Sequence, residues 1–147
     1  MATIYGEDLV EGAEYRLGEY TLTEAEIIDF AKQWDPQAFH TDPQAAESGA
    51  YRGIIASGVQ TIAVMQRLTV QAVYEGWSVI AGRRVGETLF LRPVRPGDTL
   101  TGTAVLRRVV PEALGRTGVD IDIELTCDGK PVLTASFDVL VRTRAAG

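Results

Sequence analysis

Cysteine and histidine occur once each in these 147 residues, methionine twice and proline six times. Cys127 has no thiol partner, which excludes an intrachain disulfide and any metal knuckle built on paired cysteines; a reducing, cytoplasmic setting is the expectation. The pattern around it makes Cys127 a small buried hydrophobe on a strand. Long apolar runs are missing too. No uncharged stretch reaches the roughly 18 residues a membrane helix requires. The opening MATIYGEDLVEG has no basic start followed by an apolar run, so neither secretion nor membrane insertion is expected. Positive charge is scarce, with 14 Lys and Arg against 20 Asp and Glu and a net charge of -6, which argues against a nucleic-acid or anionic-membrane partner. CxxC pairs, histidine clusters, GxSxG and P-loop motifs do not occur, so metal, serine-nucleophile and triphosphate chemistry have little support. Repeats, low-complexity tracts and linkers are absent as well, and the expectation is one domain spanning 1–147.

What is present divides in the middle. Hydrophobic residues make up 46% of the chain, enough for one sizeable core. Up to about Glu75 the periodicity is mainly helical. Thr23 and Glu26 have capping-box spacing, and Ile27, Phe30, Ala31 and Trp34 follow at helical intervals, which predicts a helix over Glu24–Trp34. Pro36 disfavours helical geometry at Asp35 and turns it into a loop. Asp42 caps a second short helix with Pro43 in its first position, and His40 is left in the loop between the two. Ser57 and Gln60 open a third helix of about 17 residues, apolar on most sides and so expected to be buried on most sides. Beyond it the period is two. Val119, Ile121, Ile123, Leu125 and Cys127 alternate with polar residues, DGKP makes a turn, and Leu133, Ala135, Phe137, Val139 and Val141 continue inward. GETLFLRPV and DTLTGTAVLRRVV add two strands joined by RPGD.

Within WDPQAFHTD, Asp35 and His40 have the chemistry of a general acid and base, since an imidazole titrates near neutrality and a carboxylate can orient it and share a water. A plain structural account fits the same residues: Asp35 stops a helix, Asp42 caps one and His40 is a hydrogen-bonded loop residue. Ser57-Gly58 places free N–H groups and a partial positive charge at a helix start, able to polarise a thioester oxygen, and Ser57 also serves as a cap. Arg52, Arg83, Arg84, Arg92, Arg95, Arg107 and Arg108 offer guanidinium forks to phosphates, with Arg52 first because it lies between the Asp/His segment and the long helix.

The order of these pieces resembles the MaoC-like, or R-specific enoyl-CoA hydratase, family of hot-dog proteins. FAKQWDPQAFHTD matches its helix, Asp, four residues, His, one residue, Asp; GIIASG matches its entry to the central helix; PVRPGDTL matches its strand-linking turn. The similarity runs from about residue 7 to 141. It implies an α+β hot-dog fold, a long central helix wrapped by a curved antiparallel sheet, and a lyase that reversibly hydrates a trans-2-enoyl-CoA to a (3R)-3-hydroxyacyl-CoA. Asp35 and His40 would then activate the water, the Gly58 amide would bind the thioester carbonyl, and Ser57, Arg52 and Phe39 would contact substrate. CoA enters as substrate, with no resident cofactor or metal, and the chain would form a homodimer or a higher homo-oligomer with sheets joined edge to edge. Departures at Pro36 to Phe39, and Ser57 where relatives often have His, leave the acyl group open: branched, short or dicarboxylic. Two other readings stand beside it, a hot-dog acyl-CoA thioesterase and a non-catalytic acyl-CoA-binding partner subunit.

Overall fold

A computed structural model describes residues 2–144. Strand β1 (Glu14–Thr21) leads into α1 (Glu24–Trp34), two short helical turns, α2 (Ala38–Thr41) and α3 (Pro43–Glu47), and then α4 (Gly58–Ala72). Four strands follow: β2 (Val79–Phe90), β3 (Thr99–Glu112), β4 (Arg116–Cys127) and β5 (Lys130–Arg142). The five strands form one antiparallel sheet in the order β1-β3-β4-β5-β2, and α4 packs against it. This is the α+β hot-dog architecture.

The strand alternation holds: Val119, Ile121, Ile123 and Leu125 point into the core with Leu133, Ala135, Val139 and Val141, while Phe137 and Cys127 are only half-buried. Asp128 and Gly129 close the β4–β5 hairpin with positive φ of 51 and 75, a conformation that suits glycine and is tolerated by aspartate. RPGD is also a turn, in which the Asp98 amide donates to the Arg95 carbonyl at 3.0 Å and the Arg95 amide to Asp98 Oδ2 at 2.8 Å. The strands it joins do not pair with each other. β2 lies beside β5 and β3 beside β1 and β4.

One element is added and two expectations are corrected. The mainly helical amino-terminal half also holds one strand that its pattern did not announce: β1 has only Leu17 buried and charged neighbours at Glu14, Arg16 and Glu19, so its alternation is faint and pairing with β3 makes it a strand. His40 lies inside the one-turn helix α2, a segment too short to carry a period. And α4 has 15 residues and one buried face, built from Gln60, Thr61, Val64, Met65, Leu68 and Thr69, with Val59 53% and Val70 46% exposed on the other. The sheet covers the helix from one side only. Neither capping box closes, because each glutamine or glutamate is drawn elsewhere: Glu26 accepts from the Tyr20 hydroxyl at 2.8 Å, and Gln60 Nε2 donates to the Glu26 carbonyl at 3.2 Å. The caps themselves form, through Thr23 Oγ1 and Ser57 Oγ. Among the described residues no helix is long and apolar enough to cross a membrane.

Candidate active site

Pro36 ends α1 by denying helical geometry to the residue before it, and Asp35 caps the helix with φ -157 and ψ 71. One turn later α2 brings His40 back toward it, with Nε2 3.3 Å from Asp35 Oδ2 and the histidine 4% exposed. His40 Nδ1 lies 2.6 Å from the Ile55 carbonyl oxygen. A carbonyl only accepts, so Nδ1 carries the hydrogen and Nε2 is turned toward the carboxylate. Asp35 has both oxygens held: Gln37 Nε2 donates to Oδ1 at 2.8 Å and the Ser57 hydroxyl to Oδ2 at 2.7 Å. The Ser57 bond first, then the Gln37 bond, hold its carboxyl below the usual carboxylate range, with His40 adding to the effect.

Ser57 caps α4 by accepting from the Val59 amide at 3.2 Å. Gly58 is the first residue of the helix, where the N–H has no partner in its own turn. A Cβ placed on Gly58 would come within 2.7 Å of the Phe90 ring, so the glycine makes room for that ring. Asp35, His40 and Gly58 line one cleft of about 490 Å³ together with Gln37, Tyr51 and Val59. The end of β2 and the segment that follows it, Phe90 to Val94, also line it, with Val132. A cleft of this size with a few converging polar groups has the dimensions of a small-molecule site.

Sequence reasoning placed these three residues together, and the structure does so. It places the others differently. Ser57 is fully buried behind Asp35 and does not line the cleft. Phe39 backs the imidazole, with ring centroids 4.2 Å apart, and packs on the core. Arg52 sits exposed in a tight turn with φ 54, outside the cleft wall, and its neighbour Tyr51 lines the cleft instead. Of the other arginines, Arg83 binds Glu112 and Asp138 on the outer sheet face, Arg84 and Arg107 approach Asp120, Arg95 donates to the Tyr51 carbonyl at 2.7 Å, and Arg92 lines the cleft. Val64, Met65 and Leu68 of α4 are core residues. Trp77 borders a separate cavity of about 680 Å³ between α4 and β2, beside Tyr74, whose phenol burial pushes up to about 12. Gln37 and Phe90 are additions to the site: Gln37 enters the sequence reading only as part of the departure at Pro36 to Phe39, and nothing in the sequence ties Phe90 to Gly58.

Fold and cleft together define a hot-dog protein in which a half-buried carboxylate meets a buried imidazole at the head of the main helix. Residues 9–126 match the family model described as MaoC like domain, and the chain belongs to that family. An uncharacterized protein of Bacillus subtilis, YdeM, is 33% identical over 94 residues, covering 64% of this chain and 67% of its own length. The 3-hydroxyacyl-thioester dehydratase Z of Mycobacterium tuberculosis is 29% identical over 126 residues, 82% of each chain. Among solved structures, a MaoC-like dehydratase from Rhodospirillum rubrum superposes with a TM-score of 0.85 at 29% identity, covering 97% of this chain and 99% of that one. An R-hydratase from Pseudomonas aeruginosa shares the fold, with a TM-score of 0.80 at 21% identity over 97% of this chain and 88% of that one.

Proposed function

We propose that this MaoC-like protein adds water reversibly across the double bond of a trans-2-enoyl-CoA, giving a (3R)-3-hydroxyacyl-CoA. The observation that carries the reading is the Asp35–His40 pair sharing one cleft with the Gly58 amide. In the hydration direction a water held by the pair gives its oxygen to C3 and one proton to the pair, and a proton from the pair goes to C2. Charge that develops on the thioester oxygen meets the Gly58 N–H at the positive end of α4. Removing one such donor typically raises the barrier by about 2.7–4 kcal/mol, and positioned acid–base groups contribute about 10²–10⁴ in rate. The whole chain acts as one domain, CoA is the carrier consumed and released, and the working form is a homo-oligomer. The name of the mycobacterial dehydratase supports a thioester substrate of this class.

Loss of the enoyl-thioester absorbance of crotonyl-CoA tests the proposal, with chirality of the product determined afterwards. Asp35→Asn and His40→Ala are each expected to lower turnover by about 10² or more while far-UV circular dichroism stays native. Full turnover in both variants rejects the assignment. Release of free CoA thiol in place of hydration would make the protein a thioesterase.

A further inference from the structure

We infer that Ser57 is a positioning residue for the acid–base pair, its hydroxyl fixing the one Asp35 oxygen that faces His40 and tying that oxygen to the first turn of α4. Its effect on turnover rests on the hydratase reading; its effect on Asp35 does not. Ser57 is 0% exposed, so it has no surface to offer a substrate. Its hydroxyl has two partners and a fixed direction. The Val59 N–H only donates, so Oγ accepts there at 3.2 Å, and the single hydroxyl proton goes to Asp35 Oδ2 at 2.7 Å. The result is a polarised chain, Val59 N–H to Ser57 O–H to carboxylate, that extends the helix-start dipole to the carboxylate. Oδ2 is also the atom 3.3 Å from His40 Nε2. Gln37 holds the other oxygen, Oδ1, at 2.8 Å, so each carboxylate oxygen has its own donor and rotation of the carboxylate away from the imidazole would break both bonds. A protonated carboxyl would lose part of this clamp, and the arrangement therefore favours the ionised form.

The first test does not need turnover. In full-length protein labelled at carboxyl carbons, the Asp35 titration midpoint by NMR is expected to rise toward the ordinary carboxylate range in Ser57→Ala. An unmoved midpoint overturns the inference. The second test uses crotonyl-CoA. Ser57→Ala is expected to lower kcat roughly 10-fold or more, the factor associated with a hydrogen bond to a charged group, to leave KM nearly unchanged, and to move the acid limb of the kcat profile to higher pH. In an Asp35→Asn background the same substitution should cost nothing further. Additive losses in the two backgrounds would show that Ser57 acts as a helix cap alone and would also overturn the inference. Ser57→Thr keeps the hydroxyl and is expected to restore both midpoint and kcat. A wild type without turnover rejects the hydratase reading, while the carboxyl titration still decides on Ser57.

Discussion

His40 is the chain's only imidazole, so a single resonance reports the state of the site. With Nδ1 facing the Ile55 carbonyl at 2.6 Å, nitrogen-15 shifts of neutral His40 are expected to show the hydrogen on Nδ1; the opposite tautomer would contradict the placement of Ile55. Asp35 gives the pH dependence. Its folded pKa lies below the unfolded one, so its ionised form contributes stability that is fully present above the unfolded value, about 3.9, and is lost as pH falls through the folded value. Asp35→Asn is therefore expected to unfold at lower temperature than wild type at neutral pH, with the gap closing in acid. A constant gap across a pH series of thermal melts would exclude the linkage. Gly58→Ala keeps the amide but drives a Cβ into Phe90. Turnover lost in Gly58→Ala and regained in Gly58→Ala/Phe90→Ala identifies the loss as steric; no recovery identifies it as misdirection of the amide. The motif residues were legible because proline, aspartate and histidine act on their near neighbours. Phe90 against Gly58 and Ser57 against Asp35 were not, since each contact joins segments that only the fold brings together.

Elements that carry a strong period were legible to the residue: α1 is Glu24–Trp34 as the capping and apolar spacing predict, and the β4–β5 hairpin turns where DGKP stands. β1 and the first half of β2 were not, because both are edge strands whose outward residues outnumber the inward ones. The one-sided burial of α4 escaped for a related reason, since the apolar content of Val59 and Val70 does not say which face the sheet covers. Ile121 is fully buried at the centre of β4, and Ile121→Ala is expected to lower unfolding free energy by about 2–5 kcal/mol in urea titrations. Gly129→Ala puts a side chain at φ 75, at a cost of about 1–2 kcal/mol by the same titration.

For the molecule as a whole, β2 is an edge strand that exposes Val85 at 59%, Phe90 at 57% and neighbouring leucines. An apolar edge of this kind invites pairing with another strand. Sedimentation is expected to give a dimer or larger species, and Val85→Lys to shift it toward monomer; a monomeric wild type at micromolar concentration would contradict this. Because Phe90 ends that edge strand and also lines the cleft, the monomeric variant is also expected to lose turnover. The strand order has a kinetic side as well. β3, β4 and β5 are joined by two tight turns and can zip together locally, whereas β1 and β2 find partners far along the chain, as in Tyr15 with Ala104 and Val85 with Phe137. Loop-closure entropy makes distant pairings late. The three-strand meander is thus the expected folding nucleus: in stopped-flow refolding Gly129→Ala should slow folding, Leu17→Ala should chiefly speed unfolding, and the cleft, whose wall hangs from β2, should be among the last parts of the protein to assemble.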